Sequence, residues 1–208
     1  MPLASVSLHG SLVSLEPLAR SHLRDLAAIG LDPELWRLQP RAIASVEDMR
    51  EYVERALAEH ARGVSLPFVI VRRADHAVLG STRFMDIALE HRRLEIGATW
   101  LAPTAQRTGA NVEAKLLLLS HAFDLMSMQK VVFKTEALNA RSRTAIVALG
   151  AVEEGTFRRH LTAEDGRMRD MVYYSILDSE WPAVRDRLRA RLARHATAAI
   201  GTGHVELT

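Results

Sequence analysis

Cysteine is absent from this chain of 208 residues, which excludes disulfides, thiolate metal ligands and covalent catalysis through a protein thiol. Aromatic residues make up only 5%, and the formal charge of +2 is too small an excess to argue for a nucleic-acid partner. No apolar run approaches the length that spans a bilayer, and Met1-Pro2-Leu3-Ala4 opens without a basic segment leading into an apolar one. These absences predict a soluble, cytoplasmic protein with neither a membrane nor a nucleic-acid partner, and no metal. What is present, 48% hydrophobic and 25% charged residues, suffices for a sizeable core. No internal repeat or low-complexity linker divides the chain, so residues 1–194 are expected to form a single domain, with 195–208 as a C-terminal tail.

The elements follow from periodicity. Val6, Leu8, Leu12 and Leu15, on either side of His9-Gly10, alternate as a strand or short hairpin, and a helix over about 19–29 shares Leu23, Leu26 and Ala27 on one face. Met49, Val53, Ala56 and Leu57 recur at helical spacing between Glu47 and Arg62, ahead of Gly63. Phe68–Val71, Val78–Ile87 and Leu94–Leu101, separated by charged turns, read as an antiparallel meander. Further on, Val131–Thr135 reads as a strand, Arg141–Leu149 as a helix stopped by Gly150, and Glu153–Leu161 and Asp170–Leu177 as strands around Glu164-Asp165-Gly166. A last amphipathic helix covers Trp181 to about Arg194. The sum is one mixed α/β domain.

The stretch APTAQRTGANVEAKLLLLSHAF, residues 102–123, passes from a glycine-interrupted loop into an apolar helix in which Leu116, Leu119, Ala122, Phe123 and Met126 share a spacing. It has neither the lysine and hydroxyl of a Walker loop nor the three glycines of a dinucleotide fingerprint. A helix start nevertheless offers free N–H groups and the positive end of its dipole, and Gly109-Ala110 removes side-chain bulk there. An anion site and an ordinary strand-to-helix loop both fit these residues. In the preceding strand a period of two puts Leu94, Ile96, Ala98 and Trp100 on one face and Glu95, Gly97, Thr99 and Leu101 on the other. Glu95 then stands above Gly97, either as an acid with room for a small substrate or as the ion-pair partner of Arg83. Asn139, before Arg141 and Ser142, is placed to cap a helix.

Together, LEIGATWLAPTAQRTGANVEAKLLLLSHAFD, VVFKTEALNARSRTAIVALGAVEEGTFRRH and DGRMRDMVYYSILDSEWPAV resemble the GNAT superfamily of N-acetyltransferases, specifically its RimJ/RimL-like group. The resemblance covers roughly residues 6–192 and lies in the order of its parts. It implies an α/β (α+β) GNAT fold: a single, mostly antiparallel central sheet of about seven strands, flanked by helices, with one splayed strand pair. It also implies acetyl-CoA as cosubstrate. The loop Gln106, Arg107, Thr108, Gly109, Ala110 and Asn111 would wrap the pyrophosphate with backbone amides, and the pantetheine arm would lie where the strand ending at Trp100-Leu101 splays from its neighbour. Asn139 would bond to that arm and Arg141 would reach the phosphates. Asn111 departs from the glycine or alanine usual at the end of this loop.

By the same resemblance the activity is direct transfer of an acetyl group to a primary amine, either a protein N-terminus or a small molecule. Glu95 is the first candidate for general base, acting through a water, Ser142 for the acid toward the leaving sulfur, and His160 for an alternative base. Asp32, Glu34, Asp86 and Glu90 lie in segments expected on the acceptor side. A second reading is an acyl-CoA-binding sensor or interaction module without turnover. Arg185, Arg187, Arg189, Arg191 and Arg194 make the last helix basic, with aspartate and alanine interspersed and no aromatics, read as solvated or as support for a homodimer rather than as a nucleic-acid site.

Overall fold

The computed structural model describes residues 4–201. Eight strands form one sheet: β1 (Leu8–His9), β2 (Val13–Pro17), β3 (Ser65–Arg72), β4 (Val78–Ala88), β5 (Arg93–Leu101), β6 (Lys130–Glu136), β7 (Val152–Thr162) and β8 (Met168–Leu177). Their spatial order is β1-β2-β3-β4-β5-β6-β8-β7. All neighbours are antiparallel except β5 and β6. The eighth strand beyond the expected seven is β1, two residues that pair with β2 as the opening hairpin.

Five helices cover the sheet: α1 (Leu23–Gly30), α2 (Val46–Ala61), α3 (Ala110–Ser120), α4 (Ala140–Leu149) and α5 (Trp181–Gly201). Two apolar clusters mark its two faces. One gathers Leu26, Met49, Tyr52 and Val53 of α1 and α2 against Val69, Val71 and Trp100. The other gathers Leu118 and Leu119 of α3, Ile146 of α4 and Val184 and Leu188 of α5 against Phe68, Phe84, Leu94, Ile96 and Phe133. Local chemistry sets the ends. Ser45 Oγ accepts from Asp48 N at 3.1 Å while Asp48 accepts from Ser45 N at 2.9 Å, a reciprocal cap that starts α2. Gly150, at φ 108°, ends α4 where a side chain would be strained.

Helix α3 widens into a π-helical turn over His121–Leu125, and its burial departs from the spacing. Leu116 and Leu117 are only half-buried, whereas Glu113 and Lys115 are 4% and 6% exposed. The reason lies in their partners. Glu113 accepts from Ser11 N, Ser11 Oγ, Leu12 N and Val13 N, all within 2.8 Å, and so closes the β1–β2 turn; Lys115 Nζ donates to Thr99 Oγ1 at 2.7 Å. At the far end of α3, Trp181 stacks on Phe123 with ring centroids 5.4 Å apart and donates from Nε1 to Asp124 at 2.7 Å. Helix α5 therefore runs back along α3. It continues past the predicted end at Arg194 to Gly201, so the expected tail begins within a helix, and residues 202–208 lie outside the described residues.

Candidate active site

The site is built on a fork. β5 and β6 pair only at Arg93↔Lys130, Leu94↔Val131 and Glu95↔Val132, after which β5 runs on to Leu101 and β6 to Glu136 without pairing each other. A bulge in β5 accompanies the parting. Its register with β4 passes from Arg83↔Gly97 to Ser81↔Trp100, and Ala98 sits in the left-handed region at φ 47°. The extra residue breaks the period of two. Trp100 consequently joins the α1–α2 face, tilted against Trp36 at 5.3 Å with its Nε1 3.3 Å from Tyr52 Oη, while Leu101 enters the α3 core. The expected grouping of Trp100 with Leu94 and Ile96 is thereby corrected. The side chains of Trp100 and Leu101 are thus buried in the clusters on opposite faces of the sheet.

From Leu101 the chain passes through a single 3₁₀ turn, Pro103–Ala105, into the loop that begins at Gln106. Arg107 and Gly109 take left-handed conformations at φ 64° and 87°, and Thr108 Oγ1 donates to Ala105 O at 2.7 Å. The α3 ladder begins with Glu113 N donating to Gly109 O at 3.0 Å, so the N–H groups of Ala110, Asn111 and Val112 precede it. Ala110 N reaches only Thr108 Oγ1, at 3.4 Å. Asn111 Oδ1 is buried without a hydrogen-bond partner. Gln106 ties the loop to its surroundings, donating from Nε2 to Leu101 O at 2.9 Å and accepting from Arg141 Nη2. Asn139 Oδ1 accepts from Ser142 N at 3.0 Å and caps α4, which sets the half-buried Ser142 in the first turn of that helix. The loop and the start of α4 are thus joined by one Gln106–Arg141 contact, flanking the open end of the fork.

Glu95 occupies the base of the fork, 3% exposed. Its partner is Lys134 of β6, with Nζ 2.7 Å from Oε2, and not Arg83, which pairs instead with Glu59 at 2.8 Å. Lys134 also donates to Asp86 at 3.1 Å. The space above Gly97 is taken by the carboxylate itself: a methyl group added there would lie 2.5 Å from Glu95 Oε1 and 2.7 Å from Met85 Sδ. Burial, opposed by Lys134 and reinforced by Asp86, pushes the Glu95 carboxyl up to about 7. Burial works against the Lys134 ammonium too, but the two carboxylates prevail and hold it above its ordinary value.

His160 lies exposed on β7 with Nε2 2.9 Å from Tyr173 Oη, and the Tyr173 ring lies 6.0 Å from Lys134 Nζ. Glu95 and His160 are therefore linked only through Lys134 and Tyr173. Of the acidic residues expected toward the acceptor, Asp86 is engaged by Lys134, Asp32 caps a short turn through Glu34 N, and Glu34 pairs with Arg37. Over the same sheet face the β7–β8 turn is stapled to the segment before α2: Glu164 N donates to Pro40 O, and Arg169 donates to Glu136 at 2.8 Å and to Leu38 O at 2.9 Å. Nothing in the sequence pattern alone singles out Lys134 or Tyr173. Continuing the alternation from Val132, the last paired residue of β6, brings Lys134 to the Glu95 side, but only once the parallel register is known.

Residues 13–152 match the family model described as the acetyltransferase (GNAT) domain. The chain belongs to the GNAT acetyltransferase family. A crystal structure of a protein from T. thermophilus is 38% identical, with a TM-score of 0.84 over 92% of this chain and 100% of that one. The Bacillus subtilis (strain 168) protein named "Putative ribosomal N-acetyltransferase YdaF" is 30% identical over 107 residues, 51% of this chain and 57% of that protein. RimJ of Mycobacterium smegmatis, solved in complex with CoA-disulfide, shares the fold at 24% identity, with a TM-score of 0.76 over 91% of this chain and 95% of that one. In this GNAT chain the eight-stranded, mostly antiparallel sheet and its forked strand pair agree with the architecture that the motifs imply.

Proposed function

We propose that this GNAT domain, within residues 1–194, is a cytoplasmic N-acetyltransferase that moves an acetyl group from acetyl-CoA to a primary amine by direct attack in a ternary complex. The observation that carries the reading is a buried carboxylate, Glu95, at the base of the fork where β5 and β6 part, paired with Lys134 at 2.7 Å; burial raises its proton affinity toward neutral pH, where a base can both accept and release a proton. The acceptor class, a protein N-terminal amine or a small amine, follows the name carried by YdaF and the RimJ/RimL-like motifs.

The residues present fit the cosubstrate. The unpaired β5 edge beyond Glu95 offers an extended chain a place to pair, and the N–H groups of Ala110–Val112 with the α3 dipole suit a diphosphate. Acetyl-CoA supplies the acyl group as a thioester. Glu95 takes up, through a water, the proton that the attacking amine loses, and the Ser142 hydroxyl donates a proton toward the departing sulfur. A backbone N–H of the splayed strand β5 would stabilise negative charge on the carbonyl oxygen. We assign the base to Glu95 over His160, which is exposed and bonded to Tyr173. Lys134, held charged, polarises and orients Glu95.

The test is an amine-library screen of the purified protein with acetyl-CoA and free-thiol detection. Thiol release dependent on one acceptor class supports the reading. Binding of acetyl-CoA with no turnover across the library favours the sensor, and absence of binding overturns the proposal.

A further inference from the structure

The aromatic side chains of this protein are core residues, with two exceptions that meet each other. Every tryptophan and phenylalanine is buried except Phe157 of β7, which is 53% exposed, and every tyrosine is buried except the half-buried Tyr173 of β8. Their rings lie 4.7 Å apart, and His160 completes a group of three, its ring 5.2 Å from Phe157 and 5.7 Å from Tyr173. Plain alternation would send residues 157 and 160 to opposite sides of β7. The ladder slips, however, between Phe157↔Met171 and Leu161↔Arg169, with Arg159 in the left-handed region at φ 47° and its N–H donated to Asp170 Oδ1 at 2.7 Å. This bulge turns His160 to the side of Phe157, where its Nε2 meets Tyr173 Oη at 2.9 Å. Neither apolar cluster includes Phe157 or Tyr173, so the bulge assembles rings that the core does not use.

The group stands beside the buried carboxylate of the fork. Tyr173 is paired across the sheet with Lys134, whose Nζ lies 6.0 Å from the ring and 2.7 Å from Glu95 Oε2. On the other side of Tyr173 its partner is Gly155, where an added methyl group would meet no heavy atom within 4 Å, so that approach is open. A partner for these rings is therefore apolar and reaches the neighbourhood of Glu95. Its side group carries no positive charge there, because the Lys134 ammonium already faces Tyr173. A ring packed against Phe157 meets those terms. We infer that Phe157, Tyr173 and His160 bind the side group of the acceptor, and that the protein prefers primary amines with an aromatic group next to the amine-bearing carbon. The inference rests on the transfer reading above and gives it a substrate class.

The experiment compares acetylation of phenylalanine amide and alanine amide by the full chain, at saturating acetyl-CoA with free-thiol detection, for the parent, Phe157→Ala and Phe157→Tyr. The parent is expected to favour phenylalanine amide in kcat/KM by at least about ten-fold, the worth of a buried ring contact. In Phe157→Ala the ratio falls toward one through a raised KM for phenylalanine amide, and Phe157→Tyr restores it, while unchanged circular dichroism and Tm certify folding. Equal use of the two amides by the parent overturns the inference, as does a preference that survives in Phe157→Ala. If neither amide reacts although another amine of the library does, the inference falls and the transfer reading stands; if no amine reacts, both fall. A parent that sediments as a dimer and comes apart in Phe157→Ala, with the preference unchanged, gives the rings to a second copy and overturns the inference too.

Discussion

Lys134 Nζ lies 2.7 Å from Glu95 Oε2, just beyond the point where β5 and β6 cease to pair. The two side chains span the base of the fork from opposite strands, and Asp86 completes the group at 3.1 Å from the same ammonium. Burial alone would push Glu95 higher than about 7; the charge of Lys134 is what brings it back into a useful range. A carboxyl group on one strand is thus tuned by a cation on the next.

That tuning predicts a pH profile. The rate kcat/KM rises with pH as Glu95 loses its proton, with an acidic limb near 7. Lys134→Met removes the cation, and the limb moves up by on the order of one pH unit. Lys134→Arg restores most of the original position. An unmoved limb in Lys134→Met would show that the titrating group is not Glu95.

The same carboxyl costs stability. Folded, it holds its proton up to about 7; its ordinary value is 4.5. The folded state therefore binds more protons in that window, so stability falls as pH rises from 4.5 through about 7 and stays lowered above it. Glu95→Gln removes this loss. Its kcat is expected to fall by about 10²–10⁴-fold, while above pH 7 it gains on the order of 3 kcal/mol relative to the parent. Urea unfolding at about pH 5 and about pH 8.5 reads the difference, and an equal gain at both pH values would refute the linkage.

Much of this arrangement is legible in the order of residues. Periods of two and 3.6 locate most elements to within a few residues, because each strand and helix buries one side. The positions that escape are those set by partners distant in sequence. Trp100 changes face because one residue, Ala98, is inserted into the ladder, and a bulge leaves no mark on an alternating pattern. Glu113 and Lys115 look like the polar side of α3, yet they are buried because a turn about a hundred residues earlier and a threonine on β5 supply their partners. Glu95 is conspicuous as a carboxylate on an apolar strand, whereas Lys134 becomes relevant only through the three paired positions of β5 and β6.

Lys115 supplies a second pH-dependent term, of opposite sign. Burial lowers its amine from 10.5 to about 7, and Thr99 Oγ1 at 2.7 Å is a neutral partner. The unfolded chain binds more protons between those values, so stability rises with pH from about 7 to 10.5. Lys115→Met fills the same space without the ammonium. It is expected to stabilise the protein at about pH 7 by on the order of 1–4 kcal/mol, as uncharged replacements of buried ions do, with the gain shrinking toward about pH 10. Thermal unfolding across that range checks it, and a variant less stable than the parent at neutral pH contradicts the argument.

Glu113 couples the opening hairpin to the start of α3 and the loop before it. Its carboxylate takes up three successive backbone N–H groups, Ser11, Leu12 and Val13, at 2.7–2.8 Å, so removing it leaves the buried Val13 donor and two part-buried donors without that partner. Glu113→Ala should therefore destabilise by about 1–3 kcal/mol, the cost of leaving a buried donor unsatisfied. Glu113→Gln should lose less, because the amide oxygen still accepts while its NH₂ faces donors. The hairpin it holds also packs on the loop: a methyl group added at Gly109 would lie 3.2 Å from Leu12 Cδ1. Loosening the turn removes one wall from Gly109, whose conformation aims the N–H groups at the start of α3. In the folded Glu113→Gln variant the KM for acetyl-CoA should therefore rise by about ten-fold, the effect of roughly 1.4 kcal/mol of binding, with kcat nearly unchanged. A fall in kcat at constant KM would place the coupling at the fork instead of the loop.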